Sequence, residues 1–149
     1  MAGLDYWSIE TELKAILAAD PILNNVGIIL EEEFEPAIDI LPVIGIFLDA
    51  MRSPEEQAIA AGKKHRKNIV YSLWAFDYDI ENNANATKKI LSLMDKLEQV
   101  LMANRTINGK VDKAWFEEGE VVSTKNKDTG TIISGIEIKL VVDVTTSIL

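Results

Sequence analysis

The sequence predicts an α+β fold: a mostly antiparallel sheet of about five strands with two main helices packed against it. Two stretches carry apolar residues at helical spacing, and five others are rich in alternating or β-branched apolar residues, as strands are. Their order along the chain is α-β-β-β-α-β-β. Strands that follow one another directly favour antiparallel pairing. The length of 149 residues is typical of a single domain, which we expect to cover residues 1–149.

The first helix is predicted over residues 5–19, with Asp5 available as its cap. Its apolar side chains lie on one helical face: Tyr6, Ile9, Leu13, Ile16 and Leu17. Asp20-Pro21 ends the helix, because the residue before a proline avoids helical backbone angles.

Two strands are predicted next. The first covers residues 26–30 and continues into the acidic residues that precede Pro36. The second covers residues 42–51, and both of its parities are largely apolar: Ile44, Ile46 and Leu48 against Val43, Gly45 and Phe47. A strand that is covered on both faces, or that lies in a subunit contact, has this composition.

The third strand, residues 68–80, leads into the second helix, residues 83–104, and these two elements are predicted to form the folding centre. The strand parity expected to face the helix is strongly apolar: Val70, Trp74, Phe76, Tyr78 and Ile80. The helix presents an apolar stripe at a 3.6-residue period. Its members are Ala86, Ile90, Met94, Leu97 and Leu101, widened by Leu91, Leu93 and Val100.

The chain closes with a predicted hairpin. A strand over residues 111–122, with a bulge expected near Gly119, is joined by the polar turn at 123–130 to a long strand over 131–147. The apolar parity of the last strand is expected to face the core: Ile132, Ile136, Ile138, Leu140, Val142 and Val144. This strand is long for one domain, so we expect a bend at Gly135 or pairing of one part of the strand outside the subunit's own sheet.

Between the second and third strands, residues 52–67 predict a long projecting loop. Loops of this length inside compact domains usually bind something or are disordered. The loop contains acidic residues followed by a basic run, which suits contact with phosphate or with an acidic neighbouring subunit, or simple solvation. The candidate interface residues are Arg52, Glu55, Glu56, Lys63, Lys64, His65, Arg66 and Lys67.

Charge and composition exclude several classes of function. Twenty-four acidic residues against 15 basic ones give a formal charge of −9, which opposes general binding of nucleic acid. With no cysteine, disulfides, thiolate metal sites and cysteine nucleophiles are absent. The N-terminus lacks the pattern of a signal peptide, and no apolar run is long enough to cross a membrane, so we expect a soluble protein made in the cytoplasm.

No catalytic constellation is predicted. The acidic residues from Glu31 to Glu33 alternate between strand faces, so a solvated strand end is favoured over a cation site. Glu137 and Lys139 match the acidic-x-Lys strand of metal-dependent nucleases, but no helix follows that strand, and the three-residue pattern is common by chance. His65 is the only histidine, and no nucleotide-binding glycine motif occurs. We therefore predict a protein that is not an enzyme and has no metal or cofactor.

The arrangement of elements resembles that of the tail terminator (tail completion) proteins of long-tailed bacteriophages. The resemblance covers nearly the whole chain. It begins with an opening helix that ends at Asp20-Pro21 and apolar strands on both sides of a loop at 52–67. It continues with a strand that leads straight into a helix and with a long closing hairpin. The phrases Met51-Arg52-Ser53-Pro54-Glu55-Glu56 and Trp74-Ala75-Phe76 are also similar to that family, which has no strict motif.

The resemblance implies a structural role. Such proteins form a hexameric ring that caps the tail tube, stops its polymerisation and offers a docking surface to the neck or head-completion protein. DNA traverses the ring without specific binding, and the mature location is the virion, after assembly in the host cytoplasm. Acidic groups tend to face the channel in related rings, and the candidates here are Glu31, Glu33, Asp77 and Asp79.

Three other classes of protein are alternatives for the same sequence. One is another head-tail connector or neck ring protein. A second is a cytoplasmic α+β binding module that uses the loop at 52–67 for recognition. A metal-dependent nuclease based on Glu137 and Lys139 is a third and weaker alternative.

Overall fold

The computed structural model describes residues 6–23, 26–31, 42–52, 64–79, 83–125 and 131–147. Its two helices are α1, Tyr6–Ala19, and α2, Asn83–Met102; a short 3-10 helix, Pro21–Leu23, follows α1. The five strands are β1, Gly27–Leu30; β2, Val43–Arg52; β3, Lys64–Asp79; β4, Lys113–Lys125; and β5, Ile132–Ser147. Their order along the chain confirms the predicted α+β class.

The strands form one sheet in the order β1-β2-β3-β5-β4. Only the β1–β2 pair is parallel; β2–β3, β3–β5 and β4–β5 are antiparallel. The register of β4 against β5 shifts between Glu117 and Gly119, so the predicted bulge near Gly119 is confirmed. Strands β3 and β5 are paired along their whole length and form the centre of the sheet.

The core lies between the sheet and the two helices. Helix α2 packs against β3 and β5, and α1 packs against β1. The predicted stripe of α2 is buried except at Leu91, which is 50% exposed. The predicted apolar parity of β5 is also confirmed, because Ile132, Ile136, Ile138, Leu140, Val142 and Val144 are all buried. Burial of these residues is the main source of stability of such a two-layer domain.

The predicted orientation of β3 is wrong. The residues of β3 that enter the core beneath the helices are Ile69, Tyr71, Leu73 and Ala75. The opposite parity, with Val70, Trp74, Phe76 and Tyr78, faces the other side of the sheet. Both parities of this strand are apolar, so its own pattern does not determine which one faces the helices.

Candidate assembly surfaces

Both ends of the predicted loop at 52–67 lie in strands. Arg52 is the last residue of β2, and its guanidinium lies 3.6 Å from the Glu117 carboxylate of β4. Glu55, Glu56 and Lys63 lie outside the described residues. The rest of the basic run, residues 64–67, opens β3 instead of lying in a loop. The sequence did not predict this extension of β3, because charged residues such as lysine have a low propensity for strands.

The basic run pairs with the end of β5 and forms a two-stranded ribbon. Its register joins Lys64 to Ser147 and Lys67 to Val144. Neighbouring strands stop before this point, since the last described pair of β2 is Arg52 with Asn68 and the first pair of β4 is Lys113 with Asp143. In the part of the chain that the structure describes, residues 64–67 are therefore paired on one side only. A strand edge without a neighbouring strand is a template for pairing with another chain.

The sheet face opposite the helices is rich in aromatic side chains. The Trp74 and Phe76 rings stack, with centroids 5.8 Å apart and planes within 5° of parallel. Their paired neighbours include Gly45 of β2 and Gly135 of β5, which leave room for the rings because they have no side chain. Phe47 and Trp115 share this face, and all four aromatic residues are only partly buried. We call Phe47, Trp74, Phe76 and Trp115 the aromatic face.

A polar network lies on the same side of the sheet. The Ser72 hydroxyl donates a hydrogen bond of 2.5 Å to Glu137 Oε2, and Lys139 Nζ lies 3.2 Å from the same oxygen. Lys139 also pairs with Asp49 at 3.0 Å. Burial lowers the pKa of Lys139, but its hydrogen bonds and charge interactions with Asp49 and Glu137 outweigh this effect and raise it. Glu137 and Lys139 thus form a structural ion pair.

The structure does not assemble a metal centre around Glu137. Among the described residues, no group of three or more His, Asp or Glu side chains is placed to hold a metal ion. Lys139 occupies the space beside the Glu137 carboxylate and neutralises its charge. The nuclease alternative therefore gains no support from the geometry of this pair.

The four candidate lumen acids do not form one cluster. Glu31 follows β1, and its Oε2 accepts a hydrogen bond from the Leu48 amide at 2.6 Å. Leu48 pairs with Tyr71, six residues from Asp77, which corresponds to about 20 Å along an extended strand. Asp77 and Asp79 lie at the far end of β3, whereas Glu33 is outside the described residues. Among the candidates that the structure describes, Glu31 thus lies apart from Asp77 and Asp79.

Asp79 and Asp77 are both engaged locally. Lys89 of α2 lies 3.5 Å from the Asp79 carboxylate and also donates to the Tyr78 carbonyl oxygen at 3.0 Å. Asp77 Oδ1 accepts a hydrogen bond from the Tyr78 amide. These contacts join the end of β3 to the first half of α2.

One functional candidate, Glu10 of α1, was missed in the sequence. It is only 3% exposed and shares the buried side of the helix with Leu13 and Leu17. Burial, a hydrogen bond with the Glu31 side chain and the negative charge of Glu31 together raise the pKa of Glu10 to about 8. Its spacing from Leu13 and Leu17 is helical, and this signal could have identified it as a buried acid.

Comparison with known proteins finds distant structural similarity. No protein-family description and no curated protein sequence matches the chain. The structure is similar to the PVC sheath/tube terminator in the extended state, seen in a cryo-EM structure of an extracellular contractile injection system. The TM-score is 0.49, and the sequences are 14% identical.

The alignment covers 98% of this chain and 58% of that terminator chain. The protein thus spans little more than half the length of that solved chain. No helix in the described ranges is long and apolar enough to cross a membrane.

Proposed function

We propose that this protein is a structural tail terminator subunit. In this role it forms a ring, most simply a hexamer, that caps a tail tube, stops its polymerisation and offers a docking surface to a neck or head-completion protein. Its place is the tail or neck of a virion, assembled in the host cytoplasm, and its action requires no catalysis. Another connector or neck ring protein would also assemble into a ring.

The observation that carries the proposal is the one-sided construction of the sheet. Both helices cover one face, while the aromatic face, with Trp74 and Phe76 at its centre, stays partly exposed on the other. Partly exposed aromatic clusters are typical of protein interfaces, where aromatic residues are enriched. The aromatic face is therefore the surface on which we expect another subunit or a tube protein to pack.

A second surface supports a ring over a simple dimer. The ribbon formed by residues 64–67 and the end of β5 differs in shape and composition from the aromatic face. Rings arise when two different surfaces of one subunit contact each other around a closed cycle. The net charge of −9 agrees with a channel along which DNA slides without being held, since like charges repel.

The proposal is tested by measuring mass by light scattering over a concentration series, followed by negative-stain imaging. We expect rings with a central hole, and we expect Trp74→Ala combined with Phe76→Ala to abolish them while the subunit keeps its circular dichroism spectrum. Trp7→Ala is the matched control, because Trp7 is 58% exposed on α1, away from the aromatic face. Rings that persist in the double variant would contradict the assigned surface.

The alternative is a cytoplasmic α+β binding module. It is favoured by one observation, a lysine-lined cavity on the helical side of the molecule. A protein that stays monomeric at every concentration and also fails to bind isolated tube ends would support this module and refute the terminator role.

A further inference from the structure

A cavity of about 360 Å³ lies where α2, the 3-10 helix and the ends of β2 and β3 meet. Binding cavities for small ligands and side chains have volumes of this order. The lining includes lysines of α2 and, from the segments after α1, apolar groups such as Ile22 and Val26. The cavity thus combines positive charge with an apolar surface, in a protein whose overall charge is negative.

Two of the cavity's lysines are available for a ligand. Lys89 is already bound to Asp79 and to the Tyr78 carbonyl oxygen. Within the described residues, no hydrogen bond or ion pair engages Lys88 or Lys96. Both side chains are exposed. Two unpaired ammonium groups on one rim create a local positive field that attracts anions.

The geometry of the helix fixes the spacing of these charges. Residues four apart on a helix lie on the same side, so Lys88, Ser92 and Lys96 follow one another along the rim. Eight residues at 1.5 Å each separate Lys88 and Lys96 by about 12 Å along the axis. The Ser92 hydroxyl lies between them as a further hydrogen-bonding group.

The apolar wall indicates what kind of anion fits. Ile22 is 44% exposed and lines the cavity from the 3-10 helix, whereas the lysines line it from α2. Val26 and Leu93 contribute further apolar surface. Asp77 also lines the cavity, and its negative carboxylate offsets part of the positive charge of the lysines. A ligand that matches both walls needs negative charges at the rim and an apolar group between them.

We propose that this cavity binds an extended acidic segment of another protein, with two carboxylates paired to Lys88 and Lys96 and an apolar side chain against Ile22. In an extended chain, residues i, i+2 and i+4 point the same way, and i and i+4 are about 13 Å apart. The pattern Glu-x-Leu-x-Glu therefore matches the lysine spacing. A nucleic acid backbone offers no apolar group at the middle position. This inference does not depend on the terminator role.

The probe is the synthetic peptide acetyl-Glu-Ser-Leu-Ser-Glu-amide, titrated into the 149-residue protein and followed by NMR chemical shifts. We expect the Ser92, Leu93 and Ile22 amide signals to move. Lys88→Gln combined with Lys96→Gln should weaken binding about tenfold, because both paired charges are lost. Glutamine forms helices nearly as well as lysine, so α2 should stay intact.

The matched control is Lys14→Gln combined with Lys110→Gln, which changes the net charge equally at exposed sites outside the cavity. We expect it to alter the affinity by less than about twofold, since neither lysine lines the cavity and salt screens the charges of exposed side chains. Equal weakening by both double variants would show a general charge effect and overturn the proposal.

Two further probes test the shape of the ligand. The isomeric peptide acetyl-Glu-Glu-Leu-Ser-Ser-amide keeps the composition but loses the spacing, and we expect it to bind more weakly. A short DNA duplex should not shift the Ile22 signal. Equal binding of both peptides, or DNA binding at the same residues with the same affinity, would overturn the assignment to an acidic polypeptide.

Discussion

The rings of Trp74 and Phe76 stack at 5.8 Å on the side of the sheet away from both helices. Residues two apart on a strand share a face, so the stack follows from their spacing in β3. Offset stacking contributes about 0.5–1.5 kcal/mol beyond the burial of the rings. The pair therefore holds its shape in the isolated subunit and presents a preformed aromatic surface to a partner.

The first prediction compares neighbouring residues of β3. Trp74→Ala should lower the free energy of unfolding by about 1–2 kcal/mol, because its ring is only partly buried. Leu73→Ala should lower it by about 2–5 kcal/mol, since Leu73 is fully buried beneath the helices. Urea denaturation of both variants measures the difference. A larger loss for Trp74→Ala would mean that the core lies on the opposite face.

The second prediction concerns pH. Because the folded-state pKa of Glu10 is raised from 4.5 to about 8, the folded protein keeps a proton that the unfolded chain releases. The contribution of Glu10 to the free energy of unfolding should therefore be greatest below about pH 4.5. It should fall as the pH rises from about 4.5 to about 8.

Glu10→Gln should remove that loss, since glutamine is neutral and has a similar shape. We expect the variant to be more stable than the wild type by at least about 1 kcal/mol at pH 8.5, with the difference reduced near pH 5. Glu120→Gln is the control, because Glu120 is exposed on β4. Melting curves at both pH values provide the measurement, and a gain that is the same at each pH would argue against the titration of Glu10.

The third prediction tests the ion pair between Lys139 and Glu137. Lys139→Met should destabilise the protein by about 1–2 kcal/mol, because it leaves the Glu137 carboxylate, whose side chain is 17% exposed, without its counter-charge. Adding Glu137→Gln should restore part of the loss, since the unpaired charge disappears. Lys110→Met, at an exposed site, should have little effect. If the double variant is less stable than Lys139→Met, the pairing is not the cause.

The fourth prediction concerns the ribbon. In the isolated subunit, the amides of residues 64–67 should exchange hydrogen faster than those of Ile69 to Ala75, which lie between β2 and β5. On assembly, the exchange of the ribbon amides should slow, because a neighbouring chain would pair with the free edge. Hydrogen exchange followed by mass spectrometry measures both states. Unchanged exchange in assembled rings would exclude the ribbon from the contact.

Much of the fold follows from periodicity. The stripe of α2 from Ala86 to Leu101 and the alternation of β5 from Ile132 to Val144 each have one apolar side, so their burial could be predicted. The bulge near Gly119 was also foreseen, because a glycine inside a strand pattern marks such sites. These features depend on residues close together in the chain.

The candidate sites could be predicted from the sequence less well than the fold. The ribbon was missed because Lys64 and its basic neighbours carry no strand signal of their own, and only the long partner strand β5 extends them. Glu10 lies beside Glu31 through the packing of α1 on β1, and the lysine cavity joins α2 to the 3-10 helix. Such contacts join segments that are distant in sequence.

The sequence by itself determined the α+β class, the element order and the apolar sides of α2 and β5. Each depends on the spacing of apolar residues within one segment, and in α2 and β5 that spacing leaves only one apolar side. Tertiary structure alone decided the orientation of β3. Its two parities, led by Leu73 and Trp74, are both apolar. The choice between them was made by the register with β5, whose own one-sided pattern fixes which face lies under the helices.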